Sequence, residues 1–263
     1  MIGQNYCQMK ILMMQIENID ERIVSWFSCG AASAVATKLI LAEGNPVTIA
    51  YCYVKEEHED NLRFLKDCEK WFGQKILILK NEKYDGSCHK VFEKNFFNTP
   101  HGSPCTTHLK KKVRLKFQKL NDVLVFGYTA EEEERLNTFI DRNNEINVRA
   151  PLIEKGLTKG EVLAMIENAN IELPKMYKLG YEHNNCIGCV KGGMGYWNKI
   201  RLDFPKQFNE YAVMERQRGY TILKDENGAI YLDELDPNRG RMSDEPAIQC
   251  GIMCELAQQT YSA

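Results

Sequence analysis

No stretch of this chain is uninterruptedly apolar over the roughly 20 residues that a bilayer-spanning helix needs, so no membrane anchor is expected. The Met- and Ile-rich start does not read as a secretory leader either, and none is expected. Lys10, Glu17 and Asp20 interrupt it, and no small-residue cleavage site follows an apolar core; the expected compartment is the cytoplasm. An excess of one charge is also lacking. With 34 basic and 36 acidic side chains the chain does not have the basic balance of a non-specific nucleic-acid binder, and any nucleic-acid contact is expected to be local. Two phosphate-binding signatures are missing, G-x-x-x-x-G-K-[ST] for a mononucleotide triphosphate and G-x-G-x-x-G for a dinucleotide. There is no internal repeat and no low-complexity segment.

What remains is enough for a full core: 263 residues, 44% of them hydrophobic, as one large domain or a domain with an elaborated tail. The chain divides into an N-terminal extension, 1–22, a main domain, 23–200, and a C-terminal helix with a cysteine-containing tail, 201–263. From Ile23 strands and helices alternate. Ile23 to Ser28, Val47 to Val54, Lys75 to Leu79, Asp122 to Gly127 and Ile146 to Arg149 read as strands. Helices are expected from Ser33 to Glu43 and from Asp60 to Phe72, closed by Gly44-Asn45-Pro46 and by Gly73. Thr158 and Glu161 fit a capping box before a helix at Val162 to Asn168, and Phe204, Phe208 and Tyr211 suit one ending near Gly219. This order predicts an α/β fold: a doubly wound, mainly parallel five-stranded sheet with helices on both faces, plus the cysteine-containing C-terminal extension. Ligands of such sheets sit at the carboxyl ends of the strands.

The first of those ends is the most informative stretch. After Ile23 to Phe27 the chain breaks into Ser28-Cys29-Gly30-Ala31-Ala32-Ser33 before turning helical. Small side chains let anion oxygens approach backbone N–H groups, the hydroxyls of Ser28 and Ser33 add donors, and the helix dipole favours negative charge. Tight packing alone explains the same residues. Further on, Asn81 to Thr107 is loop-like, and Thr107 to Leu120 is a basic helix read mainly as a solvated face, with a cation near Cys105 in reach of a phosphate. In Tyr128 to Arg135 the four glutamates suit the first turn of a helix.

Ten cysteines in a cytosolic chain are unlike a disulfide framework. Cys7, Cys29, Cys52, Cys68 and Cys88 are scattered singly and read as buried small hydrophobes. Cys186-x-x-Cys189 and Cys250-x-x-x-Cys254 form two close pairs whose thiolates fit a zinc ion or a 4Fe–4S cluster; a redox pair and unrelated buried thiols are the other readings.

Taken together the segments resemble the sulfonucleotide reductases, the phosphoadenosine and adenosine phosphosulfate reductases of the adenine nucleotide alpha-hydrolase (PP-loop) superfamily. Ser28 to Val35 is similar to the family's phosphosulfate loop, S-x-G-x-x-[AS]-A-V. Gly127 to Glu132 with Arg135 resembles its G-x-R-x-x-E-x-x-x-R segment, with Thr129 in place of the first arginine. Pro151-Leu152, Leu157-Thr158, Tyr177 to Tyr181 and Cys186-x-x-Cys189 follow in the family's order. Cys250-Gly251-Ile252-Met253 is similar to the C-terminal C-G-[IL]-H, with Met253 in place of histidine.

The resemblance implies an adenine-nucleotide alpha-hydrolase-like domain at 23–200 and an oxidoreductase that binds an adenosine phosphosulfate-type nucleotide. Ser28, Gly30, Ala31, Ser33, Gly127, Lys110, Glu132 and Arg135 would bind the nucleotide, with Lys110 and Arg135 neutralising charge. Cys250 would be the catalytic thiolate, and a thioredoxin-like thiol donor the partner. Ala32 stands where ATP-splitting branches carry aspartate, which favours a sulfonucleotide. Adenosine phosphosulfate reductases hold a cluster through a Cys-Cys pair and a later C-x-x-C; Cys105 lies in a matching place but follows Pro104, which makes it an alternative ligand to Cys250 or Cys254. Two further readings stand beside the reductase: a nucleotide-dependent sulfurtransferase or nucleic-acid modification protein of the phosphorothioation or thiolation type, splitting ATP and holding a metal site, and a non-catalytic nucleotide sensor.

Overall fold

The structure is a computed structural model and describes residues 21–99, 102–245 and 248. Five strands, β1 (Ile23–Phe27), β2 (Val47–Cys52), β3 (Leu77–Leu79), β4 (Val123–Val125) and β5 (Asn147–Arg149), form one parallel sheet in the order β3-β2-β1-β4-β5. The expected five-stranded α/β sheet is therefore present, and its order reverses between β1 and β4. Among the described residues ten helices accompany it: α1 (Ala31–Leu41), α2 (Asp60–Phe72), α3 (Cys88–Phe92), α4 (residues 104–117), α5 (Glu133–Arg142), α6 (Pro151–Glu154), α7 (Lys159–Asn168), α8 (Lys175–Lys178), α9 (Met194–Asp203) and α10 (Pro205–Arg218). An antiparallel hairpin, β6 (Leu223–Asp225) and β7 (Gly228–Ile230), follows α10.

Alternation along β1 dictates the two-sided burial. Phe27 packs with Ala34, Val35, Ile49, Phe64, Leu152 and Val162 on the face covered by α1, α2, α6 and α7. Val24 and Trp26 point the other way, into a layer with Cys52, Leu124, Phe126, Leu136 and Phe139 that α4 and α5 close. Each fully buried side chain of this size contributes about 1.5–3 kcal/mol, and a strand buried on both faces needs the near-continuous apolar run that β1 has. Inside the α1 layer, Ser25 and Thr37 satisfy each other at 2.8 Å, and Thr37 also donates to the Ser33 carbonyl at 2.7 Å. Arg22 grips Asp122 through Nε and Nη2 at 2.9 and 2.6 Å, tying the start of β1 to that of β4.

A third cluster, with Phe92, Phe97, Trp197, Phe208, Tyr211 and Leu232, joins the insertion after β3 to the C-terminal elements. Here the structure departs from expectation. The stretch read as loop after Asn81 contains the turn Glu82–Tyr84 and α3, and the Gly-, Asp- and Pro-rich tail contains the hairpin. Glu215 of α10 is fully buried and accepts the backbone N–H groups of Ile222 and Leu232 at 2.5 and 2.6 Å, fastening the hairpin to the helix.

Burial pushes the Glu215 carboxyl up to about 7 from its ordinary 4.5. The folded chain therefore binds more protons here than the unfolded chain between those pH values. Its contribution is fully present below about pH 4.5 and is lost as pH rises through about 7. Glu215→Gln is expected to flatten that slope, read as the difference between urea midpoints taken near pH 5 and near pH 7. An equal slope in both proteins would remove Glu215 as its source.

Candidate functional site

A cavity of about 410 Å³ opens at the carboxyl ends of β1 and β4, at the strand-order reversal. Its first wall is the β1–α1 turn. Gly30 is extended (φ −102°, ψ 156°) and caps α1, which leaves the first N–H groups of the helix facing the cavity. Cys29, at φ 56°, occupies the left-handed region that a non-glycine residue enters at a cost of about 1–2 kcal/mol. Asn184 and the α2 segment hold it there: Asn184 Nδ2 donates to the Cys29 carbonyl at 2.7 Å, and Cys29 Sγ reaches the Asn61 carbonyl at 3.7 Å. The Ser33 hydroxyl knots the turn together, accepting from Ser28 N and Ser28 Oγ at 3.0 and 3.1 Å and donating to the Gly30 carbonyl at 2.9 Å. The Tyr177 hydroxyl closes the turn from outside against the backbone of Ala31 and Asn184.

Gly127, directly after β4, forms the second wall. A Cβ there would stand 2.6 Å from both the Ala32 carbonyl carbon and Ser33 N, so only glycine lets β4 meet the first turn of α1. The segment after Gly127 is capped as its composition suggests, with the Glu132 carboxylate accepting Thr129 N at 3.2 Å. Arg135 pairs with Glu132 at 2.5 Å and lies over the Tyr128 ring, 5.0 Å from its centroid.

The floor is a buried polar network. A π-helical turn in α4, Thr107–Lys111, presents Lys110 to Glu57, with Nζ 3.3 Å from Oε1. Tyr51 and Asn61 donate to the other carboxylate oxygen, Oε2, at 2.5 and 3.0 Å, and Asn184 donates to Asn61 at 2.7 Å. Burial pushes the Glu57 carboxyl up, against the opposing pull of Lys110, Tyr51 and Asn61 on its charged form. His183 also lines the cavity, and burial lowers its affinity for a proton.

The structure brings together the residues read as nucleotide-binding. Ser28, Gly30, Ala31 and Ser33 lie on one wall, Gly127, Glu132 and Arg135 on the other, and Lys110 in the floor. Lys111 and Arg114 are buried with Lys110, a correction to the solvated face expected of that helix; Lys112, Lys116 and Lys119 are exposed. Glu57, His183 and Asn184 were not singled out from sequence, and Tyr177 entered only as the start of a segment in the family's order, with no role at the site. Glu57 sits in the run Lys55-Glu56-Glu57-His58-Glu59, which has the composition of a surface loop.

The catalytic candidate Cys250 and the metal candidate Cys254 lie outside the described residues. Ile248 is described: it lines the cavity, and its carbonyl accepts Asn185 Nδ2 at 2.8 Å. Cys186 and Cys189 are buried behind the cavity rather than in its lining, and Cys105 lies near them. Among the described residues, no group of three or more His, Cys, Asp or Glu stands ready-made to hold a metal ion, and no disulfide joins the cysteines. Nor is any helix among the described residues long and apolar enough to cross a membrane.

A parallel sheet with its cavity at the reversal of strand order and a helix N-terminus turned on it belongs to the doubly wound α/β class that binds nucleotides at this place. The profile of the phosphoadenosine phosphosulfate reductase domain matches residues 22–192, and the chain belongs to that family, within the PP-loop superfamily. It is 26% identical over 220 residues to an uncharacterized protein of Methanocaldococcus jannaschii; the match covers 76% of this chain and 43% of that protein, so the chain spans less than half the length of this relative. The crystal structure of phosphoadenylyl-sulfate (PAPS) reductase from Candida auris, a phosphate complex, is similar at 13% identity and a TM-score of 0.48, over 66% of this chain and 84% of that one.

Proposed function

We propose that this chain is a sulfonucleotide reductase-like enzyme that binds an adenosine phosphosulfate-type nucleotide in the 410 Å³ cavity and reduces its sulfonyl group to sulfite. The observation that carries this reading is the turn from Ser28 to Ser33, with the α1 N-terminus open to the cavity and Lys110 and Arg135 on its other sides. The N–H groups of that turn suit the anionic end of the ligand, and the two cations would neutralise charge developing on the leaving phosphate. The aromatic surfaces of Trp26, Phe126 and Tyr128 offer apolar lining for the rest of the nucleotide.

The reducing step is assigned to Cys250 by its place in the family's C-terminal motif. Its thiolate attacks the sulfonyl sulfur. A sulfur–sulfur bond forms, the sulfur–oxygen bond to the nucleotide breaks, and the nucleoside phosphate leaves with that electron pair. A thiol of a dithiol donor, thioredoxin-like, then attacks the cysteine sulfur, and the sulfur–sulfur bond breaks as sulfite leaves with its electron pair; the donor's second thiol attacks the resulting mixed disulfide, which frees the Cys250 thiolate and leaves the donor oxidised. In sequence Cys250 stands two positions after Ile248, which lines the cavity.

With a dithiol donor the protein is expected to release sulfite from the nucleotide. Cys250→Ser should abolish release and leave nucleotide affinity, measured by calorimetry, within about twofold. Sulfite output unchanged in the variant would remove Cys250 as nucleophile, and nucleotide binding without turnover in the parent protein would favour a sensor. The burial of Lys110, Lys111 and Arg114 takes half of the cations from the face that a nucleic-acid modification protein would present, which weighs against that second reading. Release of pyrophosphate from ATP, stimulated by nucleic acid, would restore it.

A further inference from the structure

Among the described residues three helix starts border the cavity, and one of them is open. α1 begins with Ala31, Ala32 and Ser33, has no acidic residue in its first turn and no side chain bonded across its cap. The turn Ala130–Glu132 that leads into α5 is closed at Thr129, whose N–H donates to the Glu132 carboxylate. α7 is closed twice. Its capping box joins Thr158 to Glu161, with Thr158 N 2.8 Å from the Glu161 carboxylate, and the Glu131 carboxylate accepts Lys159 N at 3.0 Å. Bonds from its own N–H and from Lys159 N hold the Glu131 carboxyl below its ordinary value, so it is charged at neutral pH.

Side-chain charge points the same way. Among the lining residues the cations are Lys110, Arg135 and Lys159, and the carboxylates are Glu57, Glu131, Glu132 and Glu182. Lys110 is already paired with Glu57, and Arg135 with Glu132. His183 faces Lys159, Glu182, Glu132 and Arg135; burial together with Lys159 disfavours its protonated form, so it adds no cation. The open turn at α1 accommodates one anionic group. A second phosphate would bring about −1.5 to −2 charges more to a lining whose other helix starts are taken and whose carboxylates outnumber its cations. A free ribose makes the opposite demand, because its hydroxyls donate and a carboxylate accepts. Dinucleotide sites follow the same logic: an acidic side chain goes with a free ribose hydroxyl, an available arginine with a phosphorylated one.

We infer that the cavity takes a nucleotide whose negative charge is gathered at its 5′ end, adenosine 5′-phosphosulfate with free ribose hydroxyls, and that Glu131, Glu132 and Glu182 discriminate against the form with a second phosphate at the 3′ position. The inference rests on the reductase reading and narrows it, since that reading admits both nucleotides. The nucleoside phosphate that leaves is then adenosine 5′-monophosphate.

Calorimetry on the full chain with the two unreactive product nucleotides, adenosine 5′-monophosphate and adenosine 3′,5′-bisphosphate, tests this. The monophosphate should bind at least about tenfold more tightly at about 50 mM salt, and the gap should narrow at about 500 mM, where exposed carboxylates are screened. Sulfite release with a dithiol donor should show the same preference in kcat/KM between the two phosphosulfates. Glu131→Gln combined with Glu182→Gln keeps both shapes and an acceptor oxygen for Lys159 N, so this double variant should fold. It should bind the bisphosphate about tenfold better than the parent and close most of the gap. Bisphosphate binding as tight as that of the monophosphate would overturn the inference, and so would a preference unmoved in the double variant. Failure of the parent to bind either nucleotide would remove the reductase reading and this inference together. A reversed preference with sulfite release intact would remove the inference alone.

Discussion

Lys110→Ala is expected to lower the stability of the protein by about 3–5 kcal/mol and its affinity for the nucleotide by more than tenfold. The stability loss follows from what the substitution leaves behind. Glu57 is buried against Tyr51 and Asn61, and Lys110 is the cation that offsets the cost of desolvating it. Removing one partner of such a pair strands the other in a medium that solvates it poorly. Replacing both partners is different: Glu57→Gln with Lys110→Met keeps shape and removes both charges, so most of the stability should return. Nucleotide affinity should stay low, because the cation is still missing from the cavity floor. Urea unfolding and calorimetry on Glu57→Gln, Lys110→Met and the double variant form a thermodynamic cycle that separates the effects. If the double variant binds as tightly as the parent, Lys110 holds the floor together without touching the ligand.

The second large effect is at Gly127. Gly127→Ala is expected to lower stability by about 1–3 kcal/mol and nucleotide affinity by more than tenfold, since the added methyl group meets backbone atoms of Ala32 and Ser33 rather than a side chain that can swing away. Relief requires α1 to withdraw from β4, which moves the helix N-terminus out of register with the opposite wall. Gly160→Ala is the matching control. Nothing lies within 4 Å of a Cβ there, and inside α7 alanine is the better helix former by about 1 kcal/mol, so that variant should be slightly stabilised and bind normally. A folded Gly127→Ala protein with full affinity would show that the approach of β4 to α1 is packing without consequence for the ligand.

How far the sequence led depended on the kind of signal each element leaves. β1, β2 and β4 announce themselves because strands buried on both faces are apolar at nearly every position, Ser25 and Thr48 being the exceptions, and α2 because Gly73 in the left-handed conformation stops it where expected. α9 left no such trace. It starts at Met194 behind the cap residue Gly193, carries Trp197 and Asn198 side by side and is buried on several sides, so no apolar stripe marks it out. The hairpin of β6 and β7 is three residues a strand, too short for alternation to register.

At the site, the turn from Ser28 to Ser33 and the Gly127 segment were legible because small residues at the end of a strand have few reasons to be there. Glu57 was not, since its burial follows from Tyr51, Asn61 and Lys110 arriving from three other segments.

The three hydrogen bonds that converge on the Ser33 hydroxyl mean that the turn has spent its freedom before any ligand arrives. Recognition then costs little ordering entropy, and affinity is concentrated in the anionic end of the ligand. A cradle set in advance admits any tetrahedral oxyanion of fitting size. Inorganic sulfate and phosphate are therefore the natural competitors of the nucleotide, and selectivity among nucleotides falls to the walls beyond the cradle.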